Sequence, residues 1–243
     1  MLDLSMMPQK TRAVFELLAN ESALKPYVLV GGTALSLQTH HRLSEDLDFC
    51  LFSEKLNVIE LDTLIAQLSK SHQVMLMTPT SKITQAKING TYLLDYTRDY
   101  LIDGTKVTFF ARNDIPYQYF SSLEKIYPAQ TTFSLMSEIG VFEIKAWLIQ
   151  KRVKSRDLFD LMWVLQKNHF GINKLFKAAH QADPAIYAEG LVKDVLTGLI
   201  PVDSDDEGFE SIGLNVDLQK IYAFFTEAIN EDEIRQARNL KGH

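Results

Sequence analysis

The segment that joins the first two strand-like runs of the chain constrains its fold more than any other part of the sequence. Residues 27–30 form a short apolar run rich in branched side chains, which predicts a buried strand. Gly31 and Gly32 interrupt this run, and Thr33 can cap a helix that follows them. Residues 47–52 predict the next strand. The order strand, glycine turn, helix and strand is typical of an α/β domain.

Two carboxylates, Asp46 and Asp48, stand at the start of the second predicted strand. Residues two apart in a strand face the same side, so both carboxylates can converge on one spot. Side by side they repel each other unless a cation lies between them. Mg²⁺ suits such a pair, because it is commonly held by one or two carboxylates together with substrate phosphates. Taken alone, the pair is also typical of a solvated strand edge.

The glycine turn is a candidate phosphate site. Glycines let a ligand approach the backbone closely, and the first N–H groups of the following helix are unpaired donors at its positive end. An isolated glycine pair is also typical of a tight turn between a strand and a helix. The turn and the acids together predict a site for a triphosphate and a divalent cation.

The rest of the first half mixes helical and strand-like patterns. Apolar residues recur at helical spacing after residue 57. Strand-like segments follow, separated by the hairpin signals Asn89-Gly90 and Asp103-Gly104. These segments cover residues 72–77, 91–96 and 106–111. The first half is therefore predicted to hold an antiparallel or mixed sheet with flanking helices.

From about residue 120 the apolar residues follow helical periods, so the second half is predicted to be mainly helical. Pro128 and the polar residues after it favour a boundary at this point. The sequence thus predicts an α/β (α+β) fold with an α/β domain over residues 1–127. A mainly helical domain over residues 128–243 is expected to complete the active-site cleft.

Composition excludes several classes of protein. The net charge is −6 at pH 7, so no general basic field is present to hold a long nucleic acid. Cys50 is the single cysteine, which excludes an intramolecular disulfide and a multi-cysteine zinc site. No run of 18 apolar residues occurs. We therefore expect a cytoplasmic protein with no membrane partner.

Four polar residues of the second half lie at helical spacings. Lys145 and Arg152 are seven apart, and Asp157 and Asp160 are three apart, which places each pair on one face of a helix. A lysine beside a triphosphate offsets charge on the leaving pyrophosphate, and a further carboxylate holds metal or orients an attacking hydroxyl. The alternative is a surface helix with ion pairs.

The densest basic cluster of the chain is Lys151, Arg152, Lys154 and Arg156. Its two interpretations are an RNA-backbone patch and a solvated helix face. The acidic run of residues 203–207 is predicted to be a solvated loop.

The sequence motifs resemble those of a known family, the nucleotidyltransferase AbiEii/AbiGii toxins of the DNA polymerase β-like nucleotidyltransferase superfamily. The first motif corresponds here to Gly31-Gly32-Thr33-Ala34-Leu35, Arg42, Ser44 and Asp46-Leu47-Asp48-Phe49. The lysine motif and the Arg-Asp-x-x-Asp motif correspond to Glu143-Ile144-Lys145-Ala146-Trp147, Lys151-Arg152 and Arg156-Asp157-Leu158-Phe159-Asp160-Leu161. The resemblance spans residues 28–165.

This resemblance implies a nucleotidyltransferase-like fold and a Mg²⁺-dependent bacterial enzyme, with Mn²⁺ as the alternative ion. The enzyme would move a nucleoside monophosphate from an NTP to a hydroxyl of tRNA or protein, as the toxin of a toxin–antitoxin or abortive-infection system with a cognate antitoxin. The implied catalytic residues are Asp46, Asp48, Lys145, Asp157 and Asp160, of which Asp46 and Asp48 bind the metal. The implied nucleotide-binding residues are Gly31, Gly32, Thr33, Arg42, Ser44, Lys145 and Arg152.

One departure from the superfamily pattern leaves alternatives open. Many members carry a third metal carboxylate on a later strand, where this chain has Thr108. Asp157, Asp160 or Asp95 is then a candidate third acid, and a non-catalytic binding or regulatory module is the alternative function. A phosphohydrolase of the haloacid dehalogenase type also uses Asp-x-Asp. In such an enzyme the nucleophilic aspartate ends a buried apolar strand, whereas the polar residues Ser44-Glu45 precede Asp46 here.

Overall fold

A computed structural model describes residues 2–241 of the chain. The chain forms two compact units, of which the first ends at Val141 and the second begins at Phe142. The predicted division after residue 127, and the cleft that the two parts would form, stay predictions. No helix in residues 2–241 is long and apolar enough to cross a membrane.

The first unit alternates helices and strands. Its helices are α1 (Gln9–Leu18), α2 (Gly31–Thr39), α3 (Val58–Leu68), α4 (Thr80–Ile88) and α5 (Ile115–Ser122), with 3-10 turns at Ser22–Leu24 and Leu93–Asp95. Its strands are β1 (Val28–Val30), β2 (Leu47–Leu51), β3 (Val74–Leu76), β4 (Thr97–Ile102), β5 (Thr105–Ala111), β6 (Lys125–Ile126) and β7 (Ser134–Met136).

The remainder of the described chain is helical. It contains α6 (Glu138–Leu148), which crosses the limit between the units, then α7 (Ser155–Lys167), α8 (Asn173–Ala182), α9 (Glu189–Leu196), a 3-10 turn at Glu210–Ile212 and α10 (Leu218–Lys241). A mixed sheet followed by a mainly helical region confirms the predicted fold class.

The strands of residues 2–241 form one sheet in the order β3-β4-β5-β2-β1-β7-β6. The pairs β2–β5 and β1–β7 are parallel, and the other neighbours are antiparallel. The register places Val30 opposite Asp48, Asp48 opposite Thr108, and Thr108 opposite Asp99. Register partners lie side by side on one face of a sheet, so these four side chains form a row across it.

The opposite face of the sheet carries the core of the first unit. Phe49 and Phe109 are fully buried and stack with their ring centroids 5.3 Å apart, and Phe133 meets Phe49 edge-on. Burial alternates along β4 and β5, so Asp99 and Thr108 are partly exposed while their neighbours in sequence are buried. The row that contains Asp48 therefore lies on the accessible face.

The structure corrects two local predictions in the first unit. Residues 91–96 are not a strand, because they contain a 3-10 turn and the strand begins at Thr97. Asn89-Gly90 follows the end of α4 and does not join two strands. Helix α4 was not predicted, because none of its side chains is buried and it therefore carries no apolar face. The hairpin at Asp103-Gly104 is confirmed, and both residues have positive φ, as the turn requires.

Candidate active site

The glycine turn lies directly against the second acid of the pair. Helix α2 begins at Gly31, whose φ is +71°. A Cβ atom at this position would lie 2.8 Å from Asp48 Oδ2. Glycine is therefore required both for the backbone conformation and for the close approach of the carboxylate. The N-cap residue of α2, Val30, makes no side-chain cap hydrogen bond, and the first N–H groups of a helix have no partner within the helix itself.

Gly32 is packed as tightly as its neighbour, but against a cation. A Cβ atom there would collide with the guanidinium of Arg42 and come within 3.1 Å of Ser44 Oγ. Arg42 and Ser44 are both buried, and Arg42 Nη1 donates a hydrogen bond to the Leu43 carbonyl at 2.9 Å. The turn thus packs against a buried guanidinium, and the start of a helix itself favours an anion.

The Thr33 side chain joins the turn to the segment that carries the acids. Thr33 Oγ1 lies 2.7 Å from Ser44 Oγ and also donates to the backbone carbonyl of Asp46. The prediction that Thr33 caps the helix is wrong, because α2 starts two residues earlier with Val30 as its N-cap. Its predicted contact with a phosphate stays a prediction. The observed role of its hydroxyl is to hold the acid segment against α2.

The two acids lie at the start of β2. Asp46 immediately precedes the strand and Asp48 is its second residue, and both are partly exposed. Residues 2–241 contain no group of three or more His, Cys, Asp or Glu side chains placed to hold a metal ion. A pair of carboxylates nevertheless fits Mg²⁺, whose remaining ligands are typically substrate phosphates and water.

Asp99, which lies in the row of side chains across the sheet, was not among the residues predicted from the sequence. Thr108 Oγ1 donates a hydrogen bond to Asp99 Oδ1 at 3.0 Å. Asp99 was not predicted because a strand was expected at residues 91–96, and the buried Arg98 breaks the apolar alternation of Thr97–Ile102 in the sequence. Asp95, the candidate that the sequence offered on this side, pairs with Lys55 at 3.0 Å.

The second unit contains a buried charge cluster built from the predicted lysine and acids. Lys145 on α6 pairs with Asp157 and, at 3.1 Å, with Asp160, both on α7. All three are at most 4 % exposed. Arg152 Nη2 lies 3.2 Å from Asp157 Oδ2. Arg152 lies beyond the end of α6, so the prediction that it shares a helix face with Lys145 is wrong, although both cations reach Asp157.

The acidic loop of residues 203–207 binds the basic cluster and is not simply solvated. Lys154 pairs with Asp205, and Arg156 pairs with Glu207 at 2.8 Å. Asp206 accepts a hydrogen bond from the Ser155 backbone N–H at 2.9 Å, which satisfies a donor at the start of α7. Lys154 and Arg156 therefore do not present a uniformly basic surface.

These motifs match one protein family along nearly the whole chain. The family model described as "Nucleotidyl transferase AbiEii toxin, Type IV TA system" covers residues 12–239. This chain belongs to that family. The AbiEii resemblance seen in the motifs is thereby confirmed, and the chain is a nucleotidyltransferase of a toxin family.

Individual proteins resemble this AbiEii-family chain more distantly. The uncharacterized protein aq_aa25 of Aquifex aeolicus (strain VF5) is 25 % identical over 178 residues, which are 70 % of this chain and 72 % of that protein. MenT4, a nucleotidyltransferase toxin from Mycobacterium tuberculosis H37Rv, matches with a TM-score of 0.51 and 13 % identity over 89 % of this chain and 82 % of its own. JHP933 from Helicobacter pylori has 18 % identity and a TM-score of 0.48, over 97 % and 98 % of the two chains. The likeness to MenT4 confirms the nucleotidyltransferase-like fold.

The contact between the turn and Asp48 gives a testable prediction for the AbiEii-family chain. Gly31→Ala is expected to lower the free energy of unfolding by about 1–3 kcal/mol from the positive φ alone, and further because the new methyl group meets the carboxylate. Gly90→Ala is the matched control, since Gly90 has φ +76° and nothing within 4 Å of a Cβ atom. Denaturant unfolding should show a larger loss for Gly31→Ala, and equal losses would contradict the close approach.

A second prediction concerns acid pH and the cluster around Lys145. Burial alone raises the pKa of Asp157, but the charges of Lys145 and Arg152 outweigh it and hold that pKa below its ordinary value of 3.8. Ionised Asp157 therefore stabilises the fold above pH 3.8, and this contribution is lost as the pH falls through the lower, folded-state pKa.

Unfolding measured from about pH 5 to pH 2 should show a smaller loss of stability for Asp157→Asn than for the wild-type protein. The variant keeps the pair between Lys145 and Asp160, so it still offers the lysine one carboxylate. Parallel pH profiles for the two proteins would mean that Asp157 does not contribute in this way.

Proposed function

We propose that this chain transfers a nucleoside monophosphate from an NTP to an acceptor hydroxyl with release of pyrophosphate, using Mg²⁺ or, alternatively, Mn²⁺. The observation that carries the proposal is the packing of the Gly31 turn against Asp48, with Arg42 beneath Gly32. One place on the first unit thereby combines helix N–H donors with a carboxylate.

That combination has a definite electrostatic consequence. The start of α2 favours an anion such as the phosphates of an NTP. An anion placed there would be repelled by the Asp48 carboxylate, whose Oδ2 would lie only 2.8 Å from a Cβ atom at Gly31. A divalent cation between phosphate and carboxylate turns this repulsion into attraction. A phosphate site and an acid pair this close together therefore support metal-dependent nucleotide binding.

Each residue of the turn and of the acid segment has a role in this proposal. Asp46 and Asp48 would hold the metal ion, which supplies charge stabilisation at the phosphate that is attacked. Gly31 and Gly32 admit the β- and γ-phosphates close to the backbone, and Arg42 adds positive charge below them. Thr33 and Ser44, through their mutual contact, fix the distance between the turn and the acids. Positioning of the NTP and the acceptor supplies the rest of the catalysis.

The residues of the second unit have a proposed part in the same reaction. Two carboxylates hold the Lys145 side chain in one place, and this lysine is proposed to offset charge on a phosphate. Arg152 is about half exposed at its side chain (49 %) and is the proposed contact for an outer phosphate. Asp157 and Asp160 are proposed to act in catalysis through the lysine that they hold.

The acceptor and the biological role extend the proposal beyond the site. A tRNA or a protein hydroxyl is the proposed acceptor, and the family description supports a toxin whose activity an antitoxin opposes. The non-catalytic alternative rests on Thr108 in place of a third acid. It is disfavoured because both acids of the first motif and the contact between Asp48 and the turn are retained.

The test is incubation of the purified chain with each α-labelled NTP in turn, Mg²⁺, and total bacterial tRNA. Parallel reactions contain EDTA, or no RNA, so that transfer to protein is seen separately. We expect label on RNA or protein with one or more NTPs, dependent on the divalent ion and absent from the Asp46→Asn/Asp48→Asn variant. Label that persists in that variant would overturn the assignment, and no transfer with any NTP would favour the non-catalytic module.

A further inference from the structure

The position that lacks the expected third acid is not apolar but holds a polarised hydroxyl. Thr108 lies next to Asp48 in the register of β2 and β5, on the accessible face of the sheet. Its hydroxyl donates to Asp99 Oδ1 at 3.0 Å. A hydroxyl has one hydrogen and two acceptor lone pairs, so the oxygen of Thr108 is left as an acceptor. The hydroxyl hydrogen is used on the β4 side, and Asp48 lies on the other side of β5.

Asp99 is held in place and its charge is not neutralised by a cation. Its backbone N–H donates to Thr78 Oγ1 at 3.0 Å, and its carbonyl accepts from the Met77 N–H at 2.7 Å. Within the part of the chain that the structure describes, no cationic side chain forms an ion pair with the Asp99 carboxylate. A hydrogen bond to an ionised acceptor is stronger than a neutral one and increases the electron density on the donor oxygen.

Asp99 is too far from Asp48 to share one ion with it directly. Neighbouring strands are about 4.8 Å apart, so two strand spacings separate the backbones of these residues by about 10 Å. The described residues accordingly show no group of three acidic side chains around one point. Asp99 therefore acts on an ion at Asp48 through its hydrogen bond with Thr108 and through its charge, and not as a ligand.

We propose that Thr108, with its hydroxyl hydrogen bonded to Asp99, takes the place of the third carboxylate beside Asp48. The Thr108 oxygen is an acceptor for the divalent ion or for a water molecule bound to it, and Asp99 is a positioning residue that orients this oxygen and adds negative charge. The inference rests on the proposed function, since it needs an ion at Asp48. It assigns a role to two residues of this chain on adjacent strands.

The test measures Mn²⁺ affinity of the full chain without nucleotide, by the loss of the electron paramagnetic resonance signal of free Mn²⁺. Asp99→Asn retains a side-chain acceptor for Thr108 but removes the charge, and Thr108→Val removes the hydroxyl at constant shape. Each is expected to weaken Mn²⁺ binding about 10-fold, the usual effect of losing a partner of a metal ligand. Thr108→Ser is expected to bind Mn²⁺ within about 3-fold of the wild-type affinity, because it keeps the hydroxyl.

Asp103→Asn is the matched control, because Asp103 is the turn residue of the same hairpin and pairs with His72 away from the row. Its positive φ of 45° is a conformation that asparagine adopts well. Mn²⁺ affinity equal to wild type in Asp103→Asn, with a loss in Asp99→Asn and Thr108→Val, supports the inference. A loss of the same size in Asp103→Asn would overturn it, since the effect would then be one of general charge.

The two proposals fail in different ways. Wild-type affinity in Asp99→Asn and Thr108→Val, together with lost binding in Asp48→Asn, overturns only the role of Thr108 and Asp99. No Mn²⁺ binding by the wild-type chain, or binding that survives Asp48→Asn, overturns the proposed metal site and this inference with it. Thermal unfolding of each variant identifies any that have lost the fold, and if Thr108→Val is one of them, Asp99→Asn compared with Asp103→Asn carries the test.

Discussion

Replacing Asp48 with asparagine is expected to slow nucleotide transfer by about a thousandfold while leaving the fold intact. A metal ion at a transferring phosphate supplies several kcal/mol of transition-state stabilisation, and each 1.36 kcal/mol corresponds to about tenfold in rate. Asparagine has nearly the same shape as aspartate, so its side chain fits against Gly31 without a new collision. The rate should be measured at saturating Mg²⁺ and NTP, with the melting temperature of each protein determined alongside.

Asp103→Asn again provides the control, because it makes the same chemical change at an exposed hairpin residue. Its transfer rate should equal that of the wild-type protein. An Asp48→Asn protein that transfers at the wild-type rate would remove Asp48 from the reaction. A large loss of thermal stability in that variant would instead indicate a structural role for the acid.

Replacing Lys145 with methionine is expected to produce the largest loss of stability of any single change considered. Lys145 is the cation between Asp157 and Asp160, and all three side chains are buried. Removing one partner of a buried ion pair typically costs about 3–5 kcal/mol, since it leaves uncompensated charge in the interior. For a chain of this size such a loss lowers the melting temperature by about 10 °C.

Two further variants separate the charge effect from packing. Lys177→Met removes an exposed lysine on α8 and should change the melting temperature by little. Adding Asp157→Asn and Asp160→Asn to Lys145→Met should recover much of the lost stability, because the carboxylates are then no longer charged. A Lys145→Met protein as stable as wild type would contradict a stabilising role for the buried cluster. Contact with phosphate would then be the only proposed role of Lys145.

The parts of the fold that were predicted from sequence are those specified by local pattern. The run from β1 through α2 to β2 combines an apolar strand, two glycines and a second strand within about twenty-five residues, and each signal is strong by itself. The hairpin at Asp103-Gly104 is similarly local, since its turn residues adopt the positive φ that the connection requires. The family motifs lie on these same elements and on α6 and α7.

The parts that were missed depend on partners distant in sequence. Strand β7 has three residues and becomes a strand by pairing with β1, more than 100 residues away. Strand β4 carries Arg98 on its buried face, where the ion pair with Asp62 compensates the buried charge. A polar residue at a buried strand position breaks the apolar alternation on which strand prediction relies. The position of Asp99 beside Thr108 could not be predicted for the same reason.

The candidate site shows the same division. The sequence indicated Gly31, Asp46 and Asp48, because their spacing and residue types carry the chemistry directly. It did not indicate that Lys145 is enclosed by Asp157 and Asp160, since helical periodicity places residues on a face and does not tell which charges pair across two helices. Nor could the sequence show that the Thr33 hydroxyl contacts Ser44 and the Asp46 carbonyl, because these contacts depend on the packing of α2.

The most direct test of the account is calorimetric titration of the wild-type chain with each NTP, in Mg²⁺ and in EDTA. The Asp48 carboxylate occupies the space beside Gly31 that a Cβ atom would need, so the account predicts that at least one NTP binds in Mg²⁺ and that EDTA or Asp48→Asn removes this binding. Asp103→Asn should bind as the wild-type protein does. Binding of equal strength in EDTA and in Mg²⁺, or none with any NTP, would contradict a metal-dependent nucleotide site at this turn.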